Sequence, residues 1–565
     1  MRTLWNILLS AYPLLRRSSC RCFYGEQCWP KDSEFTALAS QLSQPLLHPA
    51  PPESACYPVD NPSGNCSDVI LNTSNGRWRS QQPGSMQAPN FETFIFNNGT
   101  ISACYLNTAL GVPCKQGSVP VTGVDARSVH DVQATVKFAA GRNLRLVVKN
   151  TGHDLLGRST AHGSLLLWTH NLKNITYNEN FVPEGAPSQK TYKAMILGAG
   201  VQWHEAYDAA EANGRFILGG LSHGASVGAS GGWILGGGHS AFSARHGLGV
   251  DNVLQFTVVT ANGDYLVVND HQNPDLFWAL RGGGGGTFAV VISTIYLTHD
   301  PFPLTAITIQ SKFSTPNIAQ EVITEYVKIH PALADAGWGG YSTAGKQALE
   351  FSYVAPNVSL ASANATIDPF VRFAQLATGG AVQSSLISYG SFYEWYSAMF
   401  VAGEELGFNF EMGSRLIPRE MFEDNPAKVA NAILAVETGV SFLFVAGGTV
   451  SKVDPESMGL NPAWRKALAH VILQVSWEEG QPISEIRKVE QQIRDGTMIL
   501  DSVAPESGAY FNEASLYETN PQKTFFGLHY DKLRSIKARY DPHDLFVVIN
   551  GVGSEDWDKS LTCRH

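Results

Sequence analysis

Apolar residues recur at helical spacing in the segment between Ser128 and Gly141. The positions that would share one buried face are Val129, Val132, Val136 and Ala139. Ser128 and Asp131 predict a capping box at the start of this helix, and Gly141 is typical of a helix end. The apolar run from Leu144 to Lys149 then predicts a strand. We therefore expect a strand, helix and strand unit with a loop at the strand's carboxyl end, where α/β folds bind ligands.

The loop after this strand combines two glycines with one histidine. Gly152 and Gly157 flank His153 and Asp154, so backbone N–H groups can approach an anionic ligand such as a diphosphate closely. Taken alone, a histidine in such a turn is more often a residue that bonds its own backbone. Features farther along the chain favour a ligand-binding role for His153 instead.

A glycine-dense stretch runs from Gly219 to Leu254. Each glycine inside a regular element costs roughly 0.5–1 kcal/mol of conformational entropy. A stretch this rich in glycine therefore indicates that some other group approaches the backbone more closely than side chains would allow. Farther on, Asn262-Gly263 predicts a type I′ turn between strands at 255–260 and 265–268.

A second glycine run follows a short helix. Asn273-Pro274 predicts the capped start of the helix DLFWALR, which ends at the five glycines 282–286. This run predicts another close approach of the backbone, leading into a buried strand at 288–292.

Strand and helix patterns alternate between residues 302 and 500. The predicted strands are 304–310, 349–354, 441–445 and 467–475, and the predicted helices are 318–329 and 361–376. The alternation predicts an antiparallel sheet with helices on one face. Aromatic residues cluster at Phe392, Tyr393, Trp395, Tyr396, Phe400, Phe408 and Phe410. Most of these are expected to pack, and any that face a cleft would favour an apolar or ring-bearing substrate.

Composition and charge narrow the class of protein. The chain has 565 residues and a net charge of −10, which argues against nucleic acid or an anionic membrane as a partner. Seven of the eight cysteines lie in the first 114 residues. No histidine stands near them at ligand spacing, so we expect disulfides and no metal site.

Other features also predict a secreted glycoprotein. Six Asn-x-Ser/Thr sequons occur, at Asn65, Asn72, Asn98, Asn174, Asn357 and Asn364. Residues 1–19 have the charged start and apolar run of a signal peptide, although Tyr12-Pro13 and Arg16-Arg17 spoil the usual cleavage site. No other stretch has the length of a membrane span.

Two other enzyme classes fit poorly. The serine-hydrolase pattern GxSxG matches 220–224, but it also matches 224–228 and 228–232, so it arises from composition. A nicotinamide-dependent dehydrogenase needs GxGxxG, and no glycines satisfy that spacing.

Several segments resemble a known flavoprotein superfamily. NTGHD, VGASGGWILGGGHS, GLGVDNV and DLFWALRGGGGGTFAVV resemble the FAD-binding domain of the p-cresol methylhydroxylase and vanillyl-alcohol oxidase superfamily. YFNE, FFGLHYDKLRSIKARYDPHDLF and NGVGSEDW resemble the C-terminal segment of berberine-bridge-enzyme-like oxidases. The resemblance is greatest to secreted, isoamyl-alcohol-oxidase-like fungal enzymes.

The resemblance implies an α+β fold with an inserted domain. Its parts would be a signal peptide at 1–19, a Cys-rich region at 20–115, a p-cresol-methylhydroxylase-type FAD-binding domain at 116–301, an antiparallel-sheet substrate domain at 302–500, and a C-terminal flavin-contacting segment at 501–565. The substrate domain would be an insertion between the two flavin-contacting parts of the chain.

The resemblance also implies a covalent cofactor. His153 falls where relatives bond the flavin 8α-methyl carbon. A second, cysteinyl bond is impossible here, because the matching stretch contains Ser222, His223 and Gly224 and no cysteine lies between Cys114 and Cys563. The expected FAD-binding residues are Asn150, Thr151, Gly152, His153, Asp154, Gly157, Ser222, Gly224, Ser226, Val227, Gly228, Gly231, Gly232, Gly236, Gly237, Gly238, Val291 and Asn550.

Three residues are expected to act on substrate. Tyr510 would be a base or a substrate contact, and Asn512 a polar contact beside the flavin. A basic tyrosine would need nearby positive charge or hydrogen-bond donors, since an unperturbed tyrosine has a pKa of about 10. His223 would either face the flavin edge or bond a loop carbonyl.

The expected function is that of an oxidase. It would transfer hydride from an alcohol-type C–H to FAD, with O2 as the acceptor and H2O2 as a product, on a small-molecule substrate and as a monomer. A natural-product tailoring enzyme or oxidative cyclase is an alternative within this class. A flavin-fold protein that binds without catalysing is the alternative outside it.

Overall fold

The computed structural model describes residues 20–400 and 406–565. The predicted signal peptide therefore lies outside the described residues. The Cys-rich region forms small elements: α1 (Asp32–Ala39), α2 (Cys66–Asn72), α3 (Gly76–Ser80), β1 (Phe94–Ile95) and β2 (Ile101–Ser102). All eight cysteines are paired, as Cys20–Cys563, Cys22–Cys28, Cys56–Cys66 and Cys104–Cys114. The expectation of disulfides is confirmed, and four of them suit an oxidising compartment.

The strand, helix and strand unit is present as expected. Its elements are β3 (Thr122–Asp125), α4 (Val129–Gly141), β4 (Leu146–Lys149) and β5 (Leu165–Trp168). The side chains of Ser128 and Asp131 form the predicted capping box at the start of α4. The three strands pair in parallel in the order β3-β5-β4, so the loop with His153 leaves the sheet at its carboxyl edge.

A five-stranded antiparallel sheet follows. Its region contains β6 (Ile175–Phe181), β7 (Tyr192–Gly198), α5 (Trp203–Ala212), α6 (Gly232–Leu235), α7 (Ser243–His246), β8 (Val253–Val259), β9 (Tyr265–Val268), α8 (Pro274–Leu280) and β10 (Val290–Leu297). The strand order is β6-β7-β10-β8-β9. The glycine-rich stretch crosses between β7 and β8, beside the edge from which the His153 loop emerges.

Two local predictions in this region were wrong. The β8–β9 hairpin exists, but only Gly263 of the Asn-Gly pair has a positive φ, whereas a type I′ turn needs both. A longer loop closes the hairpin, with Thr260 N–H bonded to Asp264 O at 3.0 Å. Helix α8 begins where expected, but Asn273 does not cap it. Its side chain instead donates to Val267 O at 2.8 Å.

The predicted substrate domain is a seven-stranded antiparallel sheet. Its elements are β11 (Leu304–Lys312), α9 (Pro316–Asp335), β12 (Gly339–Ala344), β13 (Ala348–Pro356), α10 (Leu360–Ala377), β14 (Val382–Tyr389), α11 (Phe392–Met399), β15 (Asn409–Pro418), α12 (Arg419–Asp424), α13 (Pro426–Ala435), β16 (Val440–Phe444), β17 (Ala467–Trp477) and α14 (Ile483–Val503). The strand order is β14-β11-β13-β12-β16-β17-β15. This architecture confirms the predicted α+β class.

Alternation along β15 and β17 gives the sheet two different faces. A Cβ on Gly413 would lie 2.2 Å from Thr497 of α14, and Leu473 packs against the same helix at Gly496. The alternate residues Met412 and Gln474 face a cavity on the other side. Because side chains alternate across a strand, one face packs on helices and the other is left for the site.

The C-terminal segment returns to the first domain through α15 (Pro521–Phe526) and α16 (Tyr530–Tyr540). Lys537 and Asp541 form a fully buried ion pair there. Cys563 then bonds Cys20 across 543 residues of sequence. The two ends of the described chain are thus tied together. No helix in the described ranges is both long and apolar enough to span a bilayer.

We expect the Cys20–Cys563 bond to be the disulfide that contributes most to stability. Closing a longer loop removes more entropy from the unfolded chain, so the Cys20→Ser/Cys563→Ser variant should lose about 2–4 kcal/mol. The control is Cys104→Ser/Cys114→Ser, which opens a loop of separation 10. Thermal unfolding of both variants tests this, and an equal or larger loss in the control would contradict it.

Candidate active site

A cavity of about 410 Å³ lies where the His153 loop, the seven-stranded sheet and residues 510–513 meet. The loop after β4 and the glycine-rich stretch form one wall. Phe410, Met412 and Gln474 of the seven-stranded sheet form another, and Tyr510, Asn512 and Glu513 close it from the C-terminal segment. The volume lies within the range of roughly 300–1,000 Å³ that is typical of small-molecule sites.

His153 lies in the cavity wall as a neutral imidazole. Burial disfavours its charged form and lowers its pKa to about 3. Its Nε2 lies 2.6 Å from Ser226 Oγ. When Nε2 carries the hydrogen, Ser226 accepts that bond and Nδ1 keeps a lone pair. The ring can therefore act as a nucleophile at any working pH.

The glycine turns bring bare backbone to this wall. Gly152 has a φ of 78°, and a Cβ there would lie 2.9 Å from Ser85 O. At Gly228 a Cβ would lie 2.2 Å from Asn150 Nδ2, whereas beside Gly232 the space is open to 4 Å. No larger residue fits the first two positions without a shift in their neighbours.

Asn150 Oδ1 and Ser222 Oγ are two of the buried polar atoms of the cavity lining that lack partners among the residues that the structure describes. Buried polar groups are normally hydrogen-bonded, so these two call for a ligand. Apolar side chains line the same cavity, among them Val147, Val291 and Val548. A ligand with a flat apolar ring and a polar chain would satisfy both features, and FAD has both.

The structure brings many of the sequence-predicted residues together. Those that line the cavity are Asn150, Thr151, Gly152, His153, Asp154, Ser222, Val227, Gly228, Gly231, Gly232, Val291, Tyr510 and Asn512. Those outside its lining are Gly157, His223, Gly224, Ser226, Gly236, Gly237, Gly238 and Asn550. His223 is exposed, with its ring centre 5.4 Å from that of Phe400. Asn550 donates to Leu516 O at 3.2 Å.

Tyr510 and Asn512 form a hydrogen-bonded pair in the lining of the cavity. Asn512 Nδ2 donates to Tyr510 Oη at 2.8 Å, and Tyr510 Oη donates to Trp233 O at 3.1 Å. Burial, followed by the charge of Glu513, raises the pKa of Tyr510 far above its usual range. Burial and the negative charge of Glu513 therefore outweigh any group that would stabilise a tyrosinate. Tyr510 is a neutral hydrogen-bonding group.

Comparison with known proteins identifies the family. The profile described as "FAD binding domain" matches residues 123–269, and that described as "Berberine and berberine like" matches residues 509–553. An uncharacterized FAD-linked oxidoreductase of Arthroderma benhamiae is 38% identical over 582 residues, covering 96% of each chain. This chain belongs to the VAO-type FAD-linked oxidoreductases. The expected family and enzyme class are thus confirmed.

Solved structures support the fold of this oxidoreductase. The VAO-type flavoprotein MtVAO615 from Myceliophthora thermophila is 29% identical and superposes with a TM-score of 0.87, covering 97% of this chain and all of that one. A glucooligosaccharide oxidase from Acremonium strictum, described with 6-S-cysteinyl, 8α-N1-histidyl FAD, is 21% identical with a TM-score of 0.63, over 77% of this chain and 91% of that one. The second match shows a shared fold alone.

Sequence reasoning missed several groups at the site of the oxidoreductase. Arg158 pairs with Asp154 at 2.8 Å and lies over the ring of Phe511. His239 and Glu513 stood inside quoted motifs but received no role. His470 lies on β17 with no local motif around it, so only the sheet register could have placed it beside Glu513.

Proposed function

We propose that this oxidoreductase is an oxidase that holds FAD covalently through His153. It would oxidise an alcohol-type C–H bond and pass the electrons to O2. The observation that carries the proposal is a neutral imidazole in the wall of a cavity whose turns fit FAD. FAD supplies the hydride acceptor and its reoxidation by O2, which yields H2O2. The protein supplies attachment, orientation and a path for the proton.

The attachment is proposed to be single. Ser222 and Ser226 occupy the stretch from which relatives supply a cysteine, and all eight cysteines of this chain are in disulfides. A ligand group at Asn150 Oδ1 and Ser222 Oγ would give those buried atoms the partners they lack. Gly228, Gly231 and Gly232 would accept the polar chain of FAD against bare backbone.

The substrate is proposed to be a small apolar alcohol. Phe408, Phe410 and Met412 give one wall of the cavity an apolar surface, which favours aliphatic or ring-bearing molecules. Tyr510 and Asn512, which both line the cavity, are proposed as contacts of the substrate, with Tyr510 in its neutral form. Similarity to isoamyl-alcohol oxidases remains a prediction of the sequence.

Secretion and glycosylation belong to the same proposal. Asn65, Asn98, Asn174, Asn357 and Asn364 of the six sequons are exposed, so glycans could be attached without unfolding. The four disulfides suggest a secreted protein. We propose a secreted, glycosylated monomer.

A screen of alcohols tests the proposed activity. The purified protein is mixed without oxygen with linear, branched and aromatic primary alcohols, and loss of visible flavin absorbance is followed. Air is then admitted and peroxide is measured. Bleaching followed by stoichiometric peroxide is expected for apolar alcohols. Bleaching without peroxide would contradict O2 as the acceptor, and no bleaching by any alcohol would contradict the substrate class.

Ser226 is expected to speed the attachment of FAD. In the tautomer that leaves Nδ1 as the nucleophile, Nε2–H donates to Ser226 Oγ. Ser226→Ala should therefore slow covalent loading by roughly tenfold, the effect of losing about 1.4 kcal/mol of hydrogen-bonding energy. Ser451→Ala is the matched control, because Ser451 is exposed, donates to Gly448 O at 2.8 Å and stands outside the cavity lining. FAD is added to the apoprotein, and acid-stable flavin is measured over time. Equal rates in the two variants would contradict the role of Ser226.

A further inference from the structure

Three remote parts of the chain converge on one carboxylate at the cavity. His239 follows α6 in the first domain, His470 lies on β17 of the substrate domain, and Glu513 belongs to the C-terminal segment. The Nε2 atoms of both histidines lie 3.1 Å from the same oxygen, Oε2 of Glu513. Ser414 also donates to the backbone carbonyl of Glu513.

This arrangement leaves one oxygen of Glu513 for another partner. The hydrogen bonds of the carboxylate within the described ranges fall on Oε2, and its side chain is 25% exposed. Glu513 and His239 both line the cavity. The other carboxylate of the lining, Asp154, is paired with Arg158. Glu513 therefore presents Oε1 toward the cavity as an acceptor.

The histidines act as hydrogen-bond donors to Glu513. Burial lowers the pKa of His470, so its ring is neutral. The Nδ1 atoms of His239 and His470 are both buried without a partner in the part of the chain that the structure describes. An unpaired ring lone pair costs less than an orphaned N–H, which favours the hydrogen on Nε2 of each ring. Each Nε2–H then donates to Glu513.

The same three groups could in principle ligate a metal. A metal on both Nε2 atoms would move the hydrogens to the two Nδ1 atoms. Metal-bound histidines normally donate that hydrogen to an outer-shell acceptor, and neither Nδ1 has one among the described residues. The donor arrangement around Glu513 is therefore the better fit.

We propose that Glu513 is the proton acceptor of the oxidation, and that His239 and His470 position it. The inference rests on the proposed oxidase function. The O–H bond of the alcohol breaks, its proton goes to Oε1 of Glu513, and its electron pair forms the second carbon–oxygen bond. FAD held at this cavity would supply the acceptor for the hydride that leaves the carbon. Tyr510, neutral and with its O–H donated to Trp233 O, lines the cavity beside Glu513.

Glu513→Gln tests the proposal because it keeps the shape and removes the charge. Removing a general base costs about 10²–10⁴ in rate, so we expect flavin reduction by the best alcohol to fall at least a hundredfold. The remaining rate should rise about tenfold per pH unit, since hydroxide must then take the proton. Glu506→Gln is the matched control, because Glu506 is exposed and paired with Lys523.

A sulfite titration provides a readout that needs no substrate. Sulfite adds to oxidised flavin as an anion, so a carboxylate beside the reacting atom weakens its binding. Glu513→Gln should bind sulfite at least tenfold more tightly than the wild type, and Glu506→Gln should match the wild type. Unchanged sulfite affinity in Glu513→Gln, or an unchanged reduction rate, would overturn the proposal. Failure of every alcohol with tightened sulfite binding would instead contradict the proposed substrate class.

The positioning role of His470 has its own signature. The titratable groups around Glu513 are His239, His470, Tyr510 and Tyr341. The histidines hold the pKa of Glu513 well below its usual range, against burial. His470→Leu removes one donor, so the acid limb of the reduction rate should move to higher pH. His470→Gln restores a donor and should move it back. No movement in His470→Leu would overturn the positioning role.

Discussion

His153→Ala is expected to lose all flavin colour when the protein is precipitated with acid and washed. The wild-type pellet is expected to stay yellow, because a covalent bond survives unfolding and the cavity contacts do not. Alanine has no ring nitrogen that could form a covalent bond to the flavin. The measurement is the visible spectrum of the redissolved pellet, scaled to protein content.

His223→Ala is the control for this experiment. His223 is exposed and stands outside the cavity lining, so its variant should keep acid-stable flavin. Retention of colour by both variants would place the link on another residue. Loss of colour from the wild type would show that any flavin is bound without a covalent bond. A colourless soluble wild type would contradict the cofactor itself.

Arg415→Met is expected to destabilise the protein by about 3–5 kcal/mol, the usual cost of removing one partner from a buried ion pair. Arg415 is 4% exposed. It bonds Asp501 of α14 and, at 2.8 Å, Glu518 of the C-terminal segment, whose side chain is 3% exposed. Methionine would leave Glu518 buried without its cation. The unfolding midpoint, followed by intrinsic fluorescence, should fall clearly.

Arg372→Met is the matched control for Arg415→Met. Arg372 pairs with Asp368 on an exposed face of α10, where its side chain is 73% exposed. Exposed ion pairs contribute little to stability, so this variant should unfold at nearly the wild-type midpoint. If Arg415→Met also unfolds there, the buried network is not a source of stability. Retention of flavin in Arg415→Met would further show that the arginine acts on folding and not on the cofactor.

Local elements could be predicted because their signals lie within a few residues. The Ser128 and Asp131 capping box formed as expected, and so did the four strands and two helices predicted between residues 302 and 500. The two local errors have a local cause as well. Asn-Gly closes hairpins of more than one length, and Asn273 had a competing acceptor at Val267 O. The neighbouring strands decide the length of the hairpin loop and the partner of Asn273, and local sequence patterns do not show how strands neighbour one another.

The candidate site was only partly visible in the sequence. His153 and the glycine turns could be found because close approach to a ligand demands glycine near the anchoring group. Arg158 and Glu513 were near recognised motifs, but their roles depend on partners far along the chain. The role of Tyr510 changed for the same reason, since burial beside Glu513 raises its pKa.

The sequence by itself determined the α+β class, the disulfide-rich character, the flavoprotein resemblance and the histidine that is proposed to carry FAD. These follow from composition, periodicity and short motifs, whose physical causes act over a few residues. Only the tertiary structure decided that His239, His470 and Glu513 meet, since their positions span 274 residues. Their meeting depends on the register of β17 and on the return of the C-terminal segment, which packing of the whole chain sets.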